Sequence, residues 1–263
     1  MSCNLEGVQV ISSLFFMHNP KAGGTSVLSA LQTLFDRSDQ CPRIENDATE
    51  HALLAGQYRA YAGYRFYAGH YGRDIHQGVG EQIPVVTNFR WPVARILSLY
   101  SYFRHVVPLD AGQWAQPRYR AVRLAKTLSL DDFATCDDPS VEIHTADHHY
   151  RQLTASGWSA TLCGDEASAK AFIDAMPWFL VCEHPQASLI WAQATFEGRV
   201  GPLPCLNETG APKAALGARA YRVLDAKNQR DLVLYRHALD RLMLAASPAA
   251  APVRETVRQL RRA

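Results

Sequence analysis

The segment that most restricts the fold runs from Leu14 to Phe35. Leu14-Phe15-Phe16-Met17-His18 is a short apolar run, the pattern of a parallel strand covered on both faces. Asn19-Pro20-Lys21-Ala22-Gly23-Gly24 follows as a loop, and Thr25 or Ser26 is placed to cap a helix. In that helix Val27, Leu28, Leu31, Leu34 and Phe35 share one face. Strand, glycine loop and helix in this order open an α/β unit.

Three further strands are expected: Tyr64–His70, ending at His70; Ile83–Arg90; and Phe179–Cys182. Pro92 stands where proline suits a first helical position, and its helix should reach about His105. Val93, Ile96, Leu97, Tyr100 and Phe103 form its apolar stripe. A short helix is expected around Ala48–Arg59, others at Ala187–Phe196 and, as one long helix, at Tyr221–Ala246. Residues 106–160 read as helical and irregular, with Ser129 capping a helix through Asp132. Gly198–Pro212 reads as a loop, Ala245–Val253 as an Ala/Pro linker and Arg254–Arg262 as a short basic tail. The expectation is one α/β domain over residues 1–246, a central parallel sheet flanked by helices, followed by the linker and tail at 247–263.

Composition narrows the function. Lys plus Arg number 27 and Asp plus Glu 25, too even a balance for a protein that coats nucleic acid. An anionic ligand must therefore meet a local cluster of positive groups. The six cysteines are scattered without a C-x-x-C pair, which argues against a structural zinc site or a disulfide scaffold and for a reducing compartment. No Lys or Arg precedes Lys21, and polar residues interrupt the stretch Val8–Met17, so neither a signal peptide nor a membrane span is expected. These features predict a cytoplasmic protein.

The Pro20–Ser26 loop carries legible chemistry. Gly23 and Gly24 allow backbone N–H groups to approach an anion, and the helix start adds free N–H groups and a favourable dipole. Thr25 and Ser26 supply hydroxyls and Lys21 a full charge. Together they can cradle a phosphate or sulfate. This is not a Walker A loop, in which Lys follows the last glycine; here Lys21 precedes both. The alternative is an ordinary strand-to-helix turn with a surface lysine. A second anion site is suggested by Arg90 at a strand's carboxyl end, where open α/β sheets bind ligands, with Ser98 about two turns into the next helix. Its alternative is an arginine making a structural hydrogen bond at the helix start.

Both segments resemble the PAPS-dependent sulfotransferases (PAPS is 3′-phosphoadenosine 5′-phosphosulfate), nearest the carbohydrate branch that includes heparan sulfate 2-O-sulfotransferase and its bacterial relatives. His18-Asn19-Pro20-Lys21-Ala22-Gly23-Gly24-Thr25-Ser26 is similar to the family's P-K-[TA]-G-G-T-S loop, and Arg90–Ser98 to its R-x-P-x-x-R-x-x-S segment. Phe66–His70 resembles the strand end bearing the family's histidine base, with His76 at the spacing of a G-H-x-x-x-x-x-H pattern. Leu206-Asn207-Glu208-Thr209, with Lys213 nearby, resembles the loop that closes over the nucleotide. Family members often have Thr in place of Ala22 and Asp in place of Trp91, and some carry a second histidine in place of Ala68.

The resemblance implies a P-loop-like sulfotransferase fold, PAPS as donor, 3′-phosphoadenosine 5′-phosphate (PAP) as product, and no metal. Lys21, Ala22, Gly23, Gly24, Thr25 and Ser26 would hold the 5′-phosphosulfate, Arg90 and Ser98 the 3′-phosphate, and Thr209 and Lys213 would close the site. His70 would be the base toward a hydroxyl of a sugar or small metabolite, whose pocket is expected in residues 106–160. His18 is expected to be structural, His148 and His149 not to hold a metal, and Arg151 to form a surface salt bridge. Trp91, Tyr100, Tyr102, Phe103 and Trp114 are candidates for the floor of the acceptor pocket, though most are expected in the core. The competing readings are a nucleotide-dependent kinase and an inactive PAPS- or PAP-binding domain.

Overall fold

The computed structural model describes residues 11–44, 57–155, 164–203 and 215–247. Four strands, β1 (Leu14–Met17), β2 (Phe66–Gly69), β3 (Val85–Phe89) and β4 (Phe179–Val181), form one parallel sheet in the order β2-β1-β3-β4. Every residue of β1, β3 and β4 is buried, which is why they read as unbroken apolar runs rather than alternating ones. Each strand is slightly shorter than expected, and His70 and Arg90 fall just beyond the carboxyl ends of β2 and β3. Because β1 leads on to β2 and its other neighbour β3 leads on to β4, the loops after β1 and β3 diverge at the switch point between these two strands.

Helix α1 (Gly24–Gln32) follows β1 and buries Val27, Ala30 and Leu31. It starts one residue earlier than Thr25, and Gly23 rather than a hydroxyl residue is its N-cap. Helix α2 (Arg73–Gly80) follows β2, and α3 (Pro92–His105) follows β3 with proline at its first position. Of the expected Ala48–Arg59 helix, the described part is a 3-10 turn at Gln57–Tyr61; the remainder lies outside the described residues. After α3 come five short helices, α4 (Ala111–Ala115), α5 (Arg120–Thr127), α6 (Leu130–Thr135), α7 (Pro139–Thr145) and α8 (His148–Thr154). They enclose a satellite core of Tyr100, Ala121, Ala125, Leu130, Phe133 and Val141, separate from the core beneath the sheet. Ser129 caps α6 as expected, its Oγ accepting from the Asp132 N–H at 3.1 Å.

Helices α9 (Glu166–Ala175) and α10 (Pro185–Thr195) flank β4. The single long helix expected at Tyr221–Ala246 is two, α11 (Ala218–Lys227) and α12 (Gln229–Ala246), broken at Asn228. The break has a polar cause. The buried Asn228 amide donates to Thr145 O and Leu224 O, both at 2.7 Å, and its oxygen accepts from Asp147 N–H. Beside it, two aspartates cap each other's helices. Asp147 Oδ1 accepts from the N–H groups of Arg230 and Asp231 at 3.1 Å, while the Asp231 carboxylate accepts from those of His149 and Tyr150. This crossed cap fixes α8 and α12 against one another.

Among the described residues, no helix is long and apolar enough to cross a membrane. The Ala/Pro linker and basic tail at 247–263 lie outside the described residues except Ser247.

Candidate active site

The loop after β1 is held from below by Asn88, a fully buried residue of β3. Its Oδ1 accepts from Asn19 N–H at 2.9 Å, and its Nδ2 donates to the carbonyls of Asn19 and Ala22 at 2.8 Å. One amide thus satisfies three loop groups that would otherwise be buried without partners. Arg90, one residue past β3, donates from Nη1 to Lys21 O at 3.0 Å. The two segments that sequence reasoning singled out separately are therefore in direct contact.

Two consecutive glycines are needed in this loop for different reasons. Gly23 has φ +79°, and a Cβ there would lie 3.0 Å from Leu180. Gly24 has ordinary helical geometry, but the His18 imidazole occupies the place a Cβ would take. A left-handed residue followed by a helical one is the backbone pattern of an anion nest. The first N–H of α1 to reach an intrahelical acceptor is that of Ser26, to Gly23 O, so the Gly24 N–H lies at the helix's open end. Lys21 is also left-handed, at φ +66°, which costs a non-glycine residue free energy. Its ammonium sits 3.9 Å from the centre of the Tyr102 ring. Burial, and secondarily the Arg90 charge, hold the Lys21 pKa below its ordinary value.

His70 follows β2, half-buried, and faces His18 across the β1–β2 edge. Their ring centroids are 4.7 Å apart with a 55° tilt. His18 N–H donates to Gly69 O at 2.9 Å, and Gln152 Nε2 of α8 donates to both His18 O and Tyr71 O. The expected structural role of His18 is thus joined by a position against the candidate base. His76, at the spacing of the G-H-x-x-x-x-x-H pattern, packs elsewhere. It is buried on α2, edge-on to Phe15, with Nε2 2.8 Å from Ile83 O.

Other expectations are redirected by burial. Among the described residues Arg151 forms no surface salt bridge; it is buried and donates to Ile143 O and Ala146 O at the end of α7. His149 Nε2 lies 3.1 Å from Thr87 Oγ1 beneath the sheet end, and burial first, then Arg95, pushes its pKa down to about 3. His148 Nδ1 meets Ile143 O. Arg95, the second arginine of the Arg90–Ser98 segment, is fully buried and donates to His144 O at 2.6 Å. His144 packs edge-on to Phe103; burial first, then Arg95, Arg151 and His70, lowers its pKa to about 4. Trp91 leans on Tyr235, Tyr100 on Phe133 in the satellite core, while Trp114 is exposed. The Ser98 hydroxyl, half-buried on α3, makes no hydrogen bond to a described residue. Thr209 and Lys213 lie outside the described residues.

Sequence reasoning missed Asn88 and Gln152, and it gave Tyr102 to the core or an acceptor pocket rather than to the Lys21 ammonium it faces. A polar amide in an otherwise apolar strand was the available sign for Asn88, since such a residue must find partners. Gln152 carries no comparable local sign. The arrangement as a whole is a cationic cluster at the carboxyl end of a parallel sheet, with a nest, two charged side chains and a histidine pair. Scanned against models of known protein families, the chain matches none, and no curated protein matches it.

Proposed function

We propose that the chain is a PAPS-dependent sulfotransferase, with a P-loop-like sulfotransferase fold, acting on a hydroxyl of a carbohydrate or small metabolite. The observation that carries this reading is the Arg90–Lys21 hydrogen bond. It brings the loop suited to a 5′-phosphosulfate beside the segment suited to a 3′-phosphate, and His70 lies at the next strand end.

In this reading the 5′-phosphate rests on the Gly23–Ser26 backbone and hydroxyls, and Arg90 and Ser98 select the 3′-phosphate. Transfer is mostly positioning and charge stabilisation. The acceptor oxygen attacks sulfur in line, its proton passes to the His70 imidazole, and the S–O bond to the bridging oxygen breaks. The electron pair of that bond leaves with PAP. Lys21 neutralises the charge developing on the bridging oxygen. Thr209 and Lys213 belong to the proposal as closing residues, and residues 106–160 as the acceptor side.

The test is calorimetric binding of PAP and of AMP to the full chain without metal. Loss of the 3′-phosphate contacts should weaken binding by about 1.5–3 kcal/mol, roughly 10- to 150-fold. Equal binding of the two nucleotides, or none, would overturn the reading. A magnesium requirement for binding would favour the kinase alternative instead.

A further inference from the structure

We infer that His18 is a positioning residue for His70, setting the ring of the base against the phosphate loop through its own packed imidazole. This inference rests on the sulfotransferase reading for the reaction it serves; the coupling of the two rings can be measured without it.

The geometry makes His18 a rigid spacer. Its ring lies parallel to Phe16, with centroids 5.2 Å apart and planes within 10°. It fills the space above Gly24 that any larger residue would claim. Its main chain is held on one side by Gly69 O and on the other by Gln152. His70 packs against the same ring, with centroids 4.7 Å apart. His18 therefore touches both the first residue of α1 and the residue that would take the acceptor's proton. If the base is displaced, the distance between it and the phosphosulfate changes; His18 is the side chain that spans that distance.

Chemistry supports an imidazole here over an inert ring. The groups around His18 are His70 beyond β2, Arg43, and Lys21 of the loop, all cationic when protonated. Burial first, and then these three charges in that order, hold His18 well below the ordinary histidine range. His70 is faced in addition by His144 of α7. The lowered basicity of His18 disfavours a second positive charge beside His70. Two imidazoles this close titrate as a coupled pair.

The experiment uses the full chain and two readouts. In the first, the histidine rings are titrated by NMR in the wild type, His70→Ala, His18→Phe and His18→Gln. The midpoint of His18 should move upward in His70→Ala, and the midpoint or tautomer of His70 should change in His18→Phe. In the second, slow hydrolysis of PAPS to PAP is followed without an acceptor. His18→Phe keeps the stack on Phe16 and the cover over Gly24, so PAP affinity should stay within about threefold, while hydrolysis should fall about tenfold or more. His18→Gln should recover part of that loss. Superimposable His70 titrations in the wild type and His18→Phe, or hydrolysis within about twofold of wild type, would overturn the inference. If His18→Phe fails to fold, the His18 titration in His70→Ala decides. A wild type that neither binds PAP nor hydrolyses PAPS would sink the sulfotransferase reading, while the titrations still decide the coupling.

Discussion

Replacing Asn88 tests how the loop after β1 is held. The side chain is fully buried and makes three hydrogen bonds of 2.8–2.9 Å to loop backbone. Asn88→Ala removes all three and leaves the Asn19 N–H and the Asn19 and Ala22 carbonyls to find other partners. At about 0.5–1.5 kcal/mol per bond, with a larger cost for any group left buried and unpaired, the loss of stability should be about 2–4 kcal/mol. Asn88→Asp should be worse. It keeps the acceptor for Asn19 N–H but turns a carboxylate oxygen toward two carbonyl oxygens that now receive a hydrogen. Urea unfolding of the three proteins gives the order wild type, Ala, Asp. PAP affinity should also fall at least tenfold in Asn88→Ala, about 1.4 kcal/mol, because the loop must be reordered on binding. A destabilisation of Asn88→Ala below about 0.5 kcal/mol would show that the loop is held by something else. Asp equal to Asn would refute the donor assignment.

Gly24→Ala should weaken PAP binding and destabilise the fold by about 1–3 kcal/mol, because the new methyl meets the His18 ring and one of them must move; denaturant titration reads this. His70→Ala should abolish PAPS turnover while PAP affinity stays near wild type; near-normal turnover would remove His70 from the mechanism. Asp147 bears on pH. Burial first, then Asp231, raises its pKa from 3.8 to about 6, so the folded state holds more protons than the unfolded one across that window. Its contribution to stability is present below about pH 4 and is lost as pH rises through about 6. Asp147→Asn keeps the acceptor for Arg230 and Asp231 N–H without the charge, so its thermal stability should exceed wild type progressively from pH 4 to 7, by roughly 1–2 kcal/mol given partial exposure. The buried histidines push the opposite way in both proteins, and the difference between the two curves cancels them.

What the sequence made legible is what short-range rules control. Leu14–Met17, Val85–Phe89 and Phe179–Val181 are apolar because both faces are covered, and that pattern is local. Pro92 at a helix start and Ser129 at a cap are likewise decided by adjacent backbone geometry. The division at Asn228 was not legible, because its partners Thr145 and Asp147 lie some eighty residues earlier. The same holds for Asn88 under the loop and Gln152 behind His18: each is a long-range polar contact, and nothing in its own neighbourhood names the partner.

Arg95 shows where a pattern was readable but a charge obscured it. Pro92, Arg95, Ile96, Leu99 and Tyr100 are buried on α3, the spacing of one helical face. By period alone Arg95 belongs to that face, whereas Ser98 lies off it and is half-buried. An isolated guanidinium on a buried face would be costly, so the position had to come with compensation. The compensation is the His144 carbonyl and the charge of Asp231, which lowers the cost without removing it: Nε remains without a partner, and burial still brings the Arg95 pKa down to about 10. Asp231 spends its hydrogen bonds on the N-terminus of α8, the helix that carries Gln152 to His18. Two arginines five residues apart thus differ in kind. Arg90 is half-buried and touches the loop, while Arg95 faces inward and ties α3 to the helices that support the histidine pair.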